Sequence, residues 1–136
     1  MVDTVRRRIL FVEDVSDTRE LVEWSLQQQG FAVTGVETAD EGLQHARAHK
    51  FDLILLDIGL PDKDGLEVCR EIRGFDERTP ILFYTAFADL LDSEEAAKAG
   101  AQGCLRKPED IAQLGEIARK LIDGTSGAQK AKEQDE

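Results

Sequence analysis

A chain of 136 residues has the size of one domain, and its 41% hydrophobic and 33% charged residues suit a packed core under a soluble surface. A formal net charge of −11 argues against broad electrostatic binding to nucleic acid or to an anionic membrane, since both require basic patches. The two cysteines, Cys69 and Cys104, lie far apart and lack CxxC spacing, which argues against a structural disulfide or a zinc site and fits two small buried apolar residues in a reducing compartment.

Arg6, Arg7 and Arg8 precede an apolar run, Ile9–Val12, that is too short for a signal-peptide core. No segment is apolar and long enough to span a membrane, so the expected location is cytoplasmic. Ile9–Val12 reads as a first buried strand, with Glu13 and Asp14 at its end. Ser16 and Asp17 are candidate caps for a helix to about Gln29, with Leu21, Val22, Trp24, Ser25 and Leu26 as its stripe. Gly30 is a natural stop. Phe31–Val36 reads as a second strand. Thr38 followed by Glu41 fits a capping box for a helix to about Lys50, with Leu43 and Ala46 inward.

Leu53–Leu56 is an unbroken apolar run without polar alternation, as expected of a central strand covered on both faces. It stops at Asp57, whose carboxylate belongs where the strand emerges. Pro61, Asp62, Asp64 and Gly65 supply turn chemistry. A short helix follows over Gly65–Arg73, with Leu66, Val68, Cys69 and Ile72 apolar. Pro80 precedes a fourth strand, Ile81–Tyr84, ending at Thr85. Asp89–Ala99 reads as a helix of uneven pattern, and Gly103–Lys107 as a short fifth strand before Pro108. Asp110–Ile122 is amphipathic, with Ile111, Leu114, Ile117, Ala118 and Leu121 on one face. The division expected is an N-terminal extension over 1–7, a domain over 8–123 and a disordered polar tail over 124–136.

Strand and helix alternate five times. That rhythm predicts an α/β fold with a parallel sheet, helices on both faces and right-handed crossovers. In such a sheet all strand carboxyl ends share one edge, where open α/β sheets bind ligands. Glu13, Asp14, Asp57, Thr85 and Lys107 all stand at those ends. Three clustered carboxylates repel one another, and a hard divalent cation such as Mg²⁺ relieves that repulsion. The Gly59 carbonyl is a further candidate ligand. The cation would let an anionic phosphoryl group approach, with Asp57 as nucleophile on phosphorus. Lys107 would balance charge on the phosphoryl oxygens and Thr85 would donate a hydrogen bond to one. Each feature alone is ordinary turn, cap or surface chemistry; the conjunction, in this order, is what points to a site.

From about Arg8 to Ile122 the chain resembles the receiver domain of bacterial two-component response regulators, in particular single-domain, chemotaxis-regulator-like members. The resemblance rests on Glu13–Asp14, on Asp57 followed by Leu60–Pro61 and Asp64–Gly65, on Thr85–Ala86, on Gly100–Ala101 and on Lys107–Pro108. It implies a doubly wound (βα)5, flavodoxin-like three-layer sandwich with strand order 2-1-3-4-5. It implies phosphorylation of Asp57 by a histidine kinase or phosphotransfer protein. It also implies Mg²⁺ at Glu13, Asp14, Asp57 and the Gly59 carbonyl, a phosphate-binding switch at Thr85, Ala86 and Lys107, and a cis peptide at Lys107–Pro108. The protein would be a signalling switch rather than an enzyme, although it assists its own phosphoryl transfer and dephosphorylation. Its downstream partner would be a protein, with the chain monomeric or dimerising on phosphorylation.

One position departs from the family pattern. An aromatic residue on the fifth strand usually swings into the space that the Thr85-type hydroxyl vacates, and here that position is Cys104. Tyr84 and Phe87 are candidate substitutes. Phe87, Leu90, Leu91 and Cys104 mark a possible output surface on the fourth helix, fifth strand and fifth helix. Among rival readings, an aspartyl phosphatase lacks its second acid, because Gly59 occupies that position. A dinucleotide-binding domain lacks its glycine-rich turn, replaced by Glu13-Asp14-Val15-Ser16. An unphosphorylated interaction module should have lost some pocket residues, yet all five are present. With no output domain after residue 122, the expectation is a stand-alone receiver or a fragment of a longer regulator.

Overall fold

The four residues of Leu53–Leu56 divide their side chains between two cores, which is why they show no polar alternation. Leu53 and Leu55 join Ile9, Phe11, Leu82 and Tyr84 on one face of a sheet. Ile54 and Leu56 join Leu10, Val12, Ile81 and Phe83 on the other. Strand side chains alternate with a period of two, so a strand covered on both faces must be apolar throughout. The computed structural model describes residues 6–86, 93–107 and 111–135.

The element order is β1 (Arg8–Val12), α1 (Ser16–Gln28), β2 (Ala32–Val36), α2 (Ala39–Ala48), β3 (Leu53–Leu56), α3 (Gly65–Arg73), β4 (Ile81–Thr85), α4 (Ser93–Ala99), β5 (Gly103–Arg106) and α5 (Ile111–Asp135). The strands form one sheet in the order β2-β1-β3-β4-β5, all pairs parallel. Helices cover both faces. Val22 and Leu26 of α1 and Leu114, Ala118 and Ile122 of α5 seal one core. Leu43 of α2, Val68, Cys69 and Ile72 of α3, and Ala96 and Ala99 of α4 seal the other. The expected three-layer α/β sandwich is therefore the observed one.

Local signals hold where they are strongest. Thr38 and Glu41 form the capping box: the Thr38 hydroxyl accepts from the Glu41 amide at 3.1 Å, and the Glu41 carboxylate accepts from the Thr38 amide at 3.2 Å. Gly30 and Gly100 end α1 and α4 with positive φ, 98° and 108°, a conformation open to glycine without strain.

Two expectations are corrected. Ser16 and Asp17 do not cap α1; its N-cap is Val15, which makes no side-chain cap bond. Trp24 and Leu21 are not inward but 60% and 53% exposed. Val22 and Leu26, four residues apart, set the inward line, and Trp24, two residues from each, falls about 160–200° away at 3.6 residues per turn. The last helix, α5, runs to Asp135. Residues 124–135 contain no proline and carry Ala, Gln, Lys and Glu, which are good helix formers. A glycine such as Gly124 costs only about 1 kcal/mol within a helix and does not stop one. At the other end, Arg7 of the expected extension is tied down: its carbonyl accepts from the Ala32 amide at 2.9 Å and its guanidinium pairs with Asp123 at 3.0 Å.

Candidate functional site

Val12, Leu56, Phe83 and Cys104 lie in one row across β1, β3, β4 and β5. Glu13 and Asp57 are the next residues along their strands, Thr85 is two beyond Phe83, and Lys107 three beyond Cys104. Parallel register therefore delivers all four to the same edge. Backbone bonds extend the ladder past the strand ends. The Glu13 amide donates to Val36 at 2.9 Å, Asp57 to Val12 at 3.1 Å and Lys107 to Thr85 at 3.0 Å.

The carboxylates converge. One oxygen from each of Glu13, Asp14 and Asp57 lies within 4.8 Å of the others. Glu13, Asp57 and Thr85 are buried, at 0%, 5% and 0% exposure, and Asp14 stays partly exposed. The Lys107 ammonium donates to Asp57 Oδ2 at 3.1 Å and also to Glu13 Oε1. Glu13 Oε2 accepts from the Val15 amide at 3.1 Å, and Arg19 donates to the Glu13 carbonyl at 2.8 Å. Burial raises the Glu13 carboxyl above its ordinary value. The Lys107 and Val15 hydrogen bonds pull it down by less, and the nearby Asp57 charge adds to the rise.

The donor set suits a hard cation. It is oxygen-only, and its span is close to the roughly 4.2 Å between opposite ligands of an ion with bonds of about 2.0–2.1 Å, as Mg²⁺ makes. One buried ammonium against three carboxylates leaves excess negative charge at the edge. The loop after β3 is held close by Gly65. A Cβ there would sit 2.4 Å from the Asp57 carbonyl oxygen and 2.7 Å from the Ile58 Cα, so only glycine lets α3 begin this near the strand end. The Gly65 amide donates to the Ile58 carbonyl at 2.8 Å, and Gly59 bridges Asp64. Asp57 Oδ1 takes a long bond, 3.4 Å, from the Gly59 amide.

One positioning residue was missed by the sequence reading. Asp62, assigned to the turn, reaches the N-terminus of α2, accepting from the Ala39 amide at 2.9 Å and the Asp40 amide at 3.0 Å. Slight desolvation of this exposed side chain raises the carboxyl, but those amides outweigh that and hold it below its ordinary value. No local signal could reveal this tie, because the partner amides lie more than twenty positions upstream.

The expected switch residues divide. Thr85 is buried at the end of β4 and Ala86 is exposed in the following turn. Cys104 is half-buried and packs on the α2–α3–α4 core. Tyr84 lies on the opposite core, 6.5 Å from the Phe11 ring, with the Lys107 ammonium 6.0 Å from its ring centre. It therefore does not share a sheet face with Thr85. Phe87, Leu90, Leu91 and the Lys107–Pro108 peptide lie outside the described residues. Among the described residues, no helix is long and apolar enough to cross a membrane.

Similarity to known proteins agrees with this geometry. The family model for the response regulator receiver domain matches residues 9–119. The transcriptional regulatory protein CseB of Streptomyces coelicolor is 42% identical over 107 residues, 78% of this chain and 45% of that protein. The response regulator ArlR of Staphylococcus saprophyticus is 37% identical over 107 residues, 79% of this chain and 48% of that protein. The chain thus spans about half the length of the curated relatives it matches. Among solved structures, a CheY-like receiver domain protein from Methanospirillum hungatei superposes with a TM-score of 0.86 at 28% identity, over 91% of this chain and 99% of that one. The response regulator TrrA from Thermotoga maritima, solved with Mg²⁺ and BeF, gives 0.78 at 33% identity, over 85% and 98%. With the matched residues running from the first strand into the last helix, and the acidic edge in place, the chain belongs to the response regulator receiver domain family.

Proposed function

We propose that this chain is a phosphorylation-dependent switch that accepts a phosphoryl group on Asp57 from a histidine kinase or phosphotransfer protein. The observation that carries the reading is the convergence of Glu13, Asp14 and Asp57 around one point, with the Lys107 ammonium bonded to two of them. An Asp57 carboxylate oxygen attacks phosphorus. The new O–P bond forms as the N–P bond of the donor phosphohistidine breaks; the electron pair stays on the imidazole nitrogen, which takes a proton. Glu13, Asp14, Asp57 and the Gly59 carbonyl would hold Mg²⁺, which supplies charge neutralisation at the phosphoryl oxygens. Lys107 supplies a second positive charge, and Thr85 a hydroxyl for hydrogen bonding.

The output is a change on the surface of α4, β5 and α5, read by a downstream protein partner in the cytoplasm. Thr85 and Ala86 transmit the change, and Phe87, Leu90, Leu91 and Cys104 contribute to the surface. The receiver unit spans 8–123 and works alone or within a longer regulator.

The test is intact mass after incubation with Mg²⁺ and a small phosphodonor, beside Asp57→Asn and a chelator control. A gain of one phosphoryl group, absent in the variant and with chelator, supports both roles. No gain with any donor, a phosphorylated kinase included, refutes the switch and favours an unphosphorylated interaction module.

A further inference from the structure

We infer that His45 and His49 form a second metal site, for a borderline-soft divalent ion such as Cu²⁺, Ni²⁺ or Zn²⁺, at the sheet edge opposite Asp57. His45 lies in the last turn of α2 and His49 is its C-cap. The His49 amide still donates to the His45 carbonyl, at 2.9 Å, so the helical offset of four residues persists to the second histidine. Residues four apart share a helix face. The two rings accordingly face each other, with centroids 5.8 Å apart and planes tilted by 34°.

Two imidazoles sharing one ion at bonds of about 2.0–2.1 Å have ring centres roughly 5 Å apart, within about 1 Å of the separation observed. A hollow of about 200 Å³, lined by Gln44, His45, Ala48 and His49, gives the ion and its waters room. Gln44 carries an oxygen donor in the same hollow, and water completes the coordination. Among the described residues, no protein group hydrogen-bonds either ring. His49 is exposed and His45 half-buried, so both are reachable from solvent.

Ligand chemistry separates this site from the acidic one. Imidazole suits copper, nickel and zinc, whereas Mg²⁺ prefers oxygen and gives up water reluctantly. The net charge of −11 concentrates cations around the chain. Affinity should follow Co²⁺ < Ni²⁺ < Cu²⁺. The chelate pins the C-terminal turn of α2 and leaves the carboxyl edge of the sheet untouched.

The experiment uses the full chain without a polyhistidine tag, in excess Mg²⁺ to fill the carboxylate cluster. Ni²⁺ or Cu²⁺ is titrated calorimetrically, and the Cu²⁺ sample is examined by electron paramagnetic resonance. The expected result is one site with two nitrogen ligands. His45→Ala and His49→Ala should each weaken it by roughly a hundredfold or more, the scale of a lost second attachment, while Asp57→Asn leaves it unchanged. Far-UV circular dichroism of each variant, with His49→Gln as a milder change, separates loss of a ligand from loss of the helix. Equal affinity in the wild type and the histidine variants, or a copper spectrum without two nitrogens, overturns the inference.

Discussion

Replacing Lys107 with methionine removes one charge from the centre of the site while keeping an apolar stem of similar length. The Lys107 side chain is only 12% exposed, and those of its partners Glu13 and Asp57 are 0% and 7%. Removing one partner from a buried ionic group strands the remaining charge, which costs about 3–5 kcal/mol. Here two carboxylates are stranded beside a third, so Lys107→Met should fall within that range at pH 7, read from urea unfolding. Two dependences follow. First, Mg²⁺ should recover more stability in the variant than in the wild type, because the ion supplies the missing positive charge to the folded state alone. Second, the loss should shrink on acidification. The Glu13 carboxyl is already raised above 4.5 by burial, and removing Lys107 deletes the hydrogen bond that pulls it back. A raised carboxyl costs stability above its folded value, and that cost disappears as the pH falls through the folded value toward 4.5. The variant should therefore lie closer to the wild type near pH 5 than at pH 7, within the roughly linear regime of urea unfolding. A loss under about 1 kcal/mol at pH 7, or one equally large near pH 5, would refute the reasoning.

Other perturbations probe the frame around the site. Gly65→Ala drives a Cβ into the Asp57 and Ile58 backbone and should cost about 1–3 kcal/mol while slowing phosphorylation; a variant as stable as the wild type in urea would contradict the close approach. Asp76 is raised by burial, but its bonds from the Thr79 hydroxyl and the Thr79 and Arg78 amides, together with the Arg73 charge, hold it below 3.8. Its contribution is full above 3.8 and is lost as the pH falls through the lower folded value, so Asp76→Asn should flatten the acid decline of the urea midpoint; an unchanged slope would count against it. The Cys69 thiol is pushed up to about 11 by burial and donates to the Ala99 carbonyl at 3.3 Å. Alkylation followed by peptide mapping should therefore label the half-buried Cys104 first, and Cys69 only on unfolding.

The fold was legible in the chain because its strongest signals are local. Leu53–Leu56 can be apolar throughout only if both faces are covered, and the alternation with amphipathic helices leaves few topologies. The site was legible for a related reason: Glu13, Asp57, Thr85 and Lys107 interrupt apolar runs at strand ends, where parallel pairing must gather them. What failed was information spread over distance or too weak to decide. The orientation of α1 depended on which of several apolar residues the sheet would cover, and Val22 and Leu26 won over Trp24. Asp62 bonds amides far upstream, a pairing that exists only once α2 and the loop after β3 meet.

Face parity sharpens what the exchange at position 104 means. Along β4, Ile81 and Phe83 enter the α2–α3–α4 core while Leu82 and Tyr84 enter the α1–α5 core. Alternation puts Thr85 on the first face, with Phe83 and, across the pair, Cys104. Tyr84 is an aromatic in the right neighbourhood on the wrong face, buried against Phe11, and it cannot follow the Thr85 side chain without passing through the sheet. The face that Thr85 shares therefore carries a small thiol where the family usually places a ring. A hydroxyl moving toward a phosphoryl group at Asp57 would leave behind a space that Cys104 cannot fill by rotation alone. Neither Tyr84, on the opposite face, nor a ring at position 104 is therefore placed to follow the Thr85 side chain.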